Sequence, residues 1–177
     1  KDIFFKQSKT HGYKSRSAFK LIEMNEKFKF LKIDSCLVDL GSSPGGWCQV
    51  AAKKITKGKI LAVDIKNMKK QKNVDFIIGD MNNVEVQEKI INYFEKRIDV
   101  VVSDMAPNTS GNKNLDTYRT GELCLNGMNL AQKILTQKGV FVAKLFMGSI
   151  FKEIKRKAEI CFKNVIMYKP LSSKKES

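Results

Sequence analysis

Cys36-Leu37-Val38-Asp39-Leu40-Gly41-Ser42-Ser43-Pro44-Gly45-Gly46-Trp47 is the stretch from which the fold can be read. Residues 36–40 are strand-sized and apolar apart from one acid, as expected of a strand buried on both faces. Gly41 ends that strand. Gly45 and Gly46 let the backbone turn close to a ligand before a helix spanning 47–55. Such a helix offers its N-terminal amides to whatever lies in the turn. The stretch does not match the dinucleotide fingerprint GxGxxG, and no Gly-Lys-Ser/Thr follows to make a phosphate loop. Two readings stay open at this point. The turn is either a tight connection with no ligand, or the seat of a cofactor that carries an amino-acid moiety beside a nucleoside.

Outward from this stretch the alternation continues. Strands are expected at 60–64, 74–78, 98–103, 140–146 and 164–168. Helices are expected at 86–96 and 123–135, and through Phe151, Ile154, Ala158 and Cys161. Alternating strand and helix implies an α/β fold, a mostly parallel sheet with helices on both faces. Ligands then bind where loops leave the carboxyl ends of the strands. Asp64 ends the second strand, 23 residues after Gly41, where a carboxylate can accept hydrogen bonds from both ribose hydroxyls, with Ile65 beside it. Asp80 follows the third strand and can receive an adenine amino group, with Met81 packing beside the ring. Each acid also has a plain alternative as a loop or turn aspartate. Asp104 follows the fourth strand in Ser103-Asp104-Met105-Ala106-Pro107-Asn108, against the reactive end of such a cofactor. Lys144 stands within an apolar strand, where a lysine must find a partner or lose its charge. Lys20 points away from a helical stripe of Ala18, Leu21 and Ile22.

Composition narrows the function classes. The chain has 177 residues, enough for one domain with its own core. It divides into a basic helical segment, 1–34, and a cofactor-binding and catalytic core, 35–177. The net charge is +15. Residues 1–34 carry nine basic and four acidic side chains, and residues 144–177 carry nine and three. Basic ends around a nearly balanced middle suggest a polyanion surface. Lys6, Lys9, Lys14 and Arg16 at one end, with Lys152, Lys155, Arg156 and Lys157 at the other, are candidate contacts to RNA phosphates. The single histidine, His11, excludes a multi-histidine metal cage, and no metal site is expected. The four cysteines show no CxxC spacing and read as reduced thiols of a cytosol-like compartment. No apolar run approaches the ~20 residues of a membrane span, and the charged N-terminus lacks a signal-peptide core. A cytoplasmic location is expected, or an organelle if a presequence has been removed.

Together the motifs resemble those of the FtsJ/RrmJ family of S-adenosylmethionine-dependent ribose 2′-O-methyltransferases. The resemblance rests on Ser15-Arg16-Ser17-Ala18-Phe19-Lys20-Leu21, Val38-Asp39-Leu40-Gly41, Pro44-Gly45-Gly46-Trp47, Val74-Asp75-Phe76, Gly79-Asp80, the stretch from Ser103 to Asn108, Val142-Ala143-Lys144, and Lys169-Pro170 before Ser172-Ser173. It implies a Rossmann-like class I methyltransferase fold with S-adenosylmethionine as cofactor and S-adenosylhomocysteine as product. It implies that Gly41, Ser43, Pro44, Gly45, Gly46, Trp47, Asp64, Ile65, Asp80, Met81 and Asp104 contact that cofactor. The family uses a Lys-Asp-Lys-Glu tetrad, and by motif Lys20, Asp104 and Lys144 are its first three members. The fourth is expected several residues after Ser172-Ser173, in a final antiparallel strand. The sequence runs to Ser177 and Glu176 lies too close to the serines, so neither that residue nor that strand is assigned.

The same resemblance implies Lys144 as general base, Asp104 as the group that orients it, and Lys20 as the group that positions the ribose or its phosphate. Met105, where the tRNA-directed branch more often has glycine, points to large-subunit ribosomal RNA as partner, with a monomeric enzyme expected. The absence of a (Asp/Asn)-Pro-Pro-aromatic motif favours oxygen over nitrogen as acceptor. The alternatives are a tRNA ribose methyltransferase, a nicotinamide dehydrogenase, and an RNA-binding platform without catalysis.

Overall fold

A computed structural model describes residues 3–95 and 97–173. Helices α1 (Ile3–Thr10) and α2 (Ala18–Phe28) precede the first strand, β1 (Cys36–Leu40). Then come α3 (Gly46–Lys54), β2 (Lys59–Asp64), β3 (Asp75–Ile78), α4 (Val84–Tyr93), β4 (Val100–Ser103), α5 (Lys113–Ile134), β5 (Val140–Ala143) and α6 (Phe151–Cys161). The five strands form one sheet in the order β3-β2-β1-β4-β5, with every ladder parallel. Leu40 pairs with Val63 of β2 and with Ser103 of β4, and Ser103 pairs with Ala143 of β5. The register therefore brings the residues after these strands out at one edge. Strand order reverses at β1 and β4, which is where a crevice opens in sheets of this kind.

The strands are apolar on both faces because helices cover both. Leu37, Ile60, Ala62, Val100 and Val102 pack with Leu21 of α2 and Val50 and Ala51 of α3. Val38, Leu40, Leu61, Val63 and Val101 pack with Ile90 of α4 and Leu130 and Ile134 of α5. A third cluster joins Cys124 and Met128 of α5 to Ile150, Ile154 and Ala158 in and before α6.

Four expectations are corrected. Residues 164–168 form no strand. A strand exists only by pairing, and this segment joins no ladder; Val165 packs on the third cluster and Tyr168 meets Phe28 edge-on. The strand expected at 140–146 stops at Ala143, so Lys144 lies just beyond it. The helix expected at 123–135 begins ten residues earlier, at Lys113. Its first turns are polar and carry no apolar stripe, but Asn112 caps them by accepting from the Asn114 and Leu115 amides at 3.1 and 3.2 Å. The helix expected to reach Lys96 ends at Tyr93; Lys96 itself, like Glu176, lies outside the described residues.

Candidate active site

The turn after β1 is held by backbone. The amides of Gly41 and Ser42 both donate to the Val63 carbonyl, at 2.8 and 3.2 Å. The Ser43 amide donates to Oδ2 of Asp64 at 2.8 Å, and the Lys66 amide to Oδ1 at 2.8 Å. Two amides thus fix the Asp64 carboxylate at the end of β2, and each oxygen keeps a lone pair for another donor. Gly41 has φ +71°, and a Cβ there would collide with Met105. Gly45 has φ +110°, and a Cβ there would collide with the Gln71 side chain. Both positions need glycine for conformation and for space. Trp47, at the start of α3, is buried and donates its Nε1 hydrogen to the Ser17 carbonyl at 2.8 Å. That bond ties the start of α2 to the turn.

Beneath the turn lies Asp39, 1% exposed. The Cys48 thiol donates to its Oδ2 at 3.1 Å, while Oδ1 has no hydrogen-bond partner. Burial pushes Asp39 up to about 7; the Cys48 hydrogen bond opposes this, and the charges of Asp104 and Asp64 add to it. Asp39 and Ser42, whose Oγ is also buried without a partner, line a pocket of about 40 Å³ with Gly41, Ser43, Trp47 and Asp104. A buried carboxyl oxygen with no donor is costly unless a ligand supplies one. The sequence displayed Asp39 only as the polar interruption of an apolar strand; its exact surroundings depend on Cys48, nine residues on.

A larger cleft of about 250 Å³ shares Trp47 and Asp104 with this pocket. Lys20 from α2, Asp104 after β4 and Lys144 after β5 all line it. Lys144 Nζ stands 3.1 Å from Asp104 Oδ1 and donates to the Asp104 carbonyl at 3.3 Å. Both side chains are mostly buried. The lysine has found a partner, which is how a sequestered cation is tolerated. Its own amide extends the ladder by one bond, to the Ser103 carbonyl at 2.9 Å. The far wall of the cleft is the segment from Met167 to Ser173. It docks on α2 through Glu23, whose carboxylate accepts from the Leu171 and Ser172 amides at 2.7 and 2.9 Å.

The remaining sequence-singled residues are spread more widely. Ile65 is exposed, and Asp80 is exposed with Oδ1 accepting from the Asn82 amide in a turn. Met81 is in the core with Val86 and Ile90. Lys6 and Lys9 are exposed on α1, with Lys9 over the Phe5 ring. Lys14 is half-buried, and its amide donates to Gln49. Arg16 donates to the Ser172 carbonyl at 2.5 Å. Lys152, Lys155 and Arg156 are exposed on α6; Lys155 pairs with Glu159, and Lys157 donates to Asn129. Among the described residues no His/Cys/Asp/Glu group could hold a metal ion, and no helix is long and apolar enough to cross a membrane.

Fold and site together define a Rossmann-like α/β protein with its ligand crevice at the β1/β4 switch. The chain belongs to the FtsJ-like methyltransferase family, which it matches over residues 13–177. It is 45% identical over 177 residues to ribosomal RNA large subunit methyltransferase E of Pelagibacter ubique, covering 100% of this chain and 87% of that protein. It is 41% identical over 178 residues to the protein of the same name in Acinetobacter baylyi, covering 99% and 82%. Among solved structures it is similar to one described as a ribosomal RNA methyltransferase from Plasmodium falciparum. There the TM-score is 0.81 at 31% identity, covering 89% of this chain and 91% of the other.

Proposed function

We propose that the protein transfers a methyl group from S-adenosylmethionine to a ribose 2′-hydroxyl of large-subunit ribosomal RNA. The observation that carries this reading is the Lys144–Asp104 pair, 3.1 Å apart in a cleft that Lys20 also lines and that adjoins the glycine turn. The names of the relatives supply the RNA.

The residues present fit such a cofactor. The left-handed backbone of Gly41 and Gly45 shapes the turn, the orphaned Oδ1 of Asp39 suits an α-ammonium group, and Asp64 suits a ribose diol. When bound, the cofactor supplies an electrophilic methyl on a sulfonium. Asp104 holds the Lys144 amine in place through its carboxylate and its carbonyl. Lys20, on another wall, anchors the ribose or its phosphate. Once its ammonium has given up a proton to water, the Lys144 amine has a lone pair with which to accept the hydroxyl proton as the oxygen attacks. Fixing the acceptor in line accounts for much of the acceleration, since well-aligned reactants gain about 7–11 kcal/mol over free encounter.

The test is a mass-spectrometric map of ribose methylation after incubation with S-adenosylmethionine and either large-subunit rRNA or tRNA. A new 2′-O-methyl group in the rRNA is the expected outcome. Methylation of tRNA alone, or of a base nitrogen, overturns the reading.

A further inference from the structure

The loop between β2 and β3 is the part of the nearly balanced middle that a charge count over the whole region hides. It reads Ile65-Lys66-Asn67-Met68-Lys69-Lys70-Gln71-Lys72-Asn73-Val74, with four lysines and no acid. Lys66, Lys69, Lys70 and Lys72 are exposed, and none of them joins an ion pair among the described residues. The residues between them are anchors. Ser43 Oγ donates to the Asn67 carbonyl at 3.4 Å, and Met68 is buried in the core. Gln71 Nε2 donates to the Gly45 carbonyl at 2.9 Å, and Val74 is buried. Asn73, at φ +62°, turns the chain just after Lys72.

Inward anchors thus alternate with outward lysines, and the loop is fastened to the glycine turn itself. Four ammonium groups in one ten-residue loop, none of them in an ion pair among the described residues, repel one another, which works against folding. A fixed loop also loses little freedom when it binds. Both features suit a surface made to meet a polyanion. On the other flank of the same turn runs the segment 12–17. A Cβ on Gly46 would strike Ser15, and the Lys14 amide donates to Gln49 of α3 at 2.7 Å. A polyanion lying on the loop therefore passes the mouth of the reaction site.

We propose that residues 65–74 form a phosphate-binding surface for the RNA substrate, on the cofactor flank of the site and apart from the basic chain ends. The proposal rests on the RNA-methylation reading above. The four lysines act together as backbone contacts and read no bases.

The experiment compares the full chain with the variant K69Q/K70Q/K72Q, which leaves Lys66 and its amide bond to Asp64 in place, on a fragment of large-subunit rRNA. Binding is measured between 50 and 200 mM salt, with steady-state methylation and S-adenosylhomocysteine titration alongside. Each phosphate contact adds about 0.7–0.9 to the slope of log affinity against log salt. The expected result is a slope smaller by about 2–3, an RNA KM raised about tenfold or more, and an unchanged kcat. Cofactor affinity and thermal midpoint stay as in the parent, which separates the effect from misfolding. An unchanged slope and KM overturn the proposal while the parent's methylation of rRNA leaves the function standing. A parent that does not methylate rRNA overturns both. Loss of binding to phosphatidylserine vesicles with RNA binding intact overturns the proposal in favour of a lipid surface.

Discussion

The amides of Gly41 and Ser42 both lean on the Val63 carbonyl, main-chain bonds that no side-chain exchange removes, while the Ser43 amide leans on the Asp64 carboxylate. The segment after β5 is held differently. Past the single Lys144 amide bond it is held by side chains, the Lys144–Asp104 pair and the packing of Leu145 and Ile150 on the third cluster, and Met147 between them is 70% exposed. The glycine-turn flank, proposed for the cofactor, is preorganised largely by backbone, whereas the Lys144 flank, proposed for the acceptor, is organised by side chains. Side-chain replacement should therefore separate the two functions cleanly on the acceptor flank and blur them on the cofactor flank.

The sharpest break comes from Lys144→Ala. Methylation in single turnover should fall by about 10²- to 10⁴-fold, the usual contribution of a positioned base. S-adenosylhomocysteine binding by calorimetry should stay within a few-fold. Retained turnover would remove Lys144 from the mechanism and the contrast with it.

Asp39 probes the other flank through pH. Its folded value is raised from 3.8 to about 7, so between those values the native state holds a proton that the unfolded chain has lost. Stability must then fall as pH rises from about 4 to about 7 and level off above, by about 4 kcal/mol in all. Asp39→Asn should erase that slope in urea denaturation run at pH 5 and pH 8. It should also weaken cofactor binding without disturbing the Lys144 pair. A parental slope in the variant would assign the pH dependence elsewhere.

Gly45→Ala sharpens the backbone side of the contrast. Its φ of +110° and the crowding by Gln71 should cost about 1–3 kcal/mol in thermal denaturation and weaken cofactor binding. A neutral effect would mean that the turn is freer than its hydrogen bonds imply. The smallest expected change is Glu23→Gln, which keeps an acceptor but removes the charge facing the Leu171 and Ser172 amides. A loss of about 1 kcal/mol is expected, with RNA KM raised more than cofactor Kd.

The buried strands were legible because sheets covered on both faces demand continuous apolar runs, and residues 36–40 and 100–103 have them. The position of the candidate site was legible for a related reason: a polar residue directly after such a run has only the sheet's carboxyl edge to occupy. Asp64, Asp104 and Lys144 all follow that rule. What escaped depended on partners distant in sequence. Residues 164–168 have strand composition, but a strand also needs a neighbour. The first turns of α5 are too polar to announce a helix, and only Asn112 marks their start. The state of Asp39 is set first by its burial, then by a thiol on the next helix and by two acids, one ending β2 and one just after β4. The lysines of 65–74 were averaged away with the acids around them, although none of the four is ion-paired among the described residues.

Arg16 and Glu23 grasp the backbone of residues 171 and 172 across nearly the whole length of the chain. During synthesis this has an order built into it. The sheet from β1 to β4 can begin to assemble while later residues are still being added, since its ladders join segments already made. The far wall of the acceptor cleft cannot form until residue 172 has left the ribosome. Contacts between such distant residues are also the slow ones in folding, because the chain between them must first be brought to order. The nascent protein can therefore shape the turn for its cofactor well before it can enclose an acceptor.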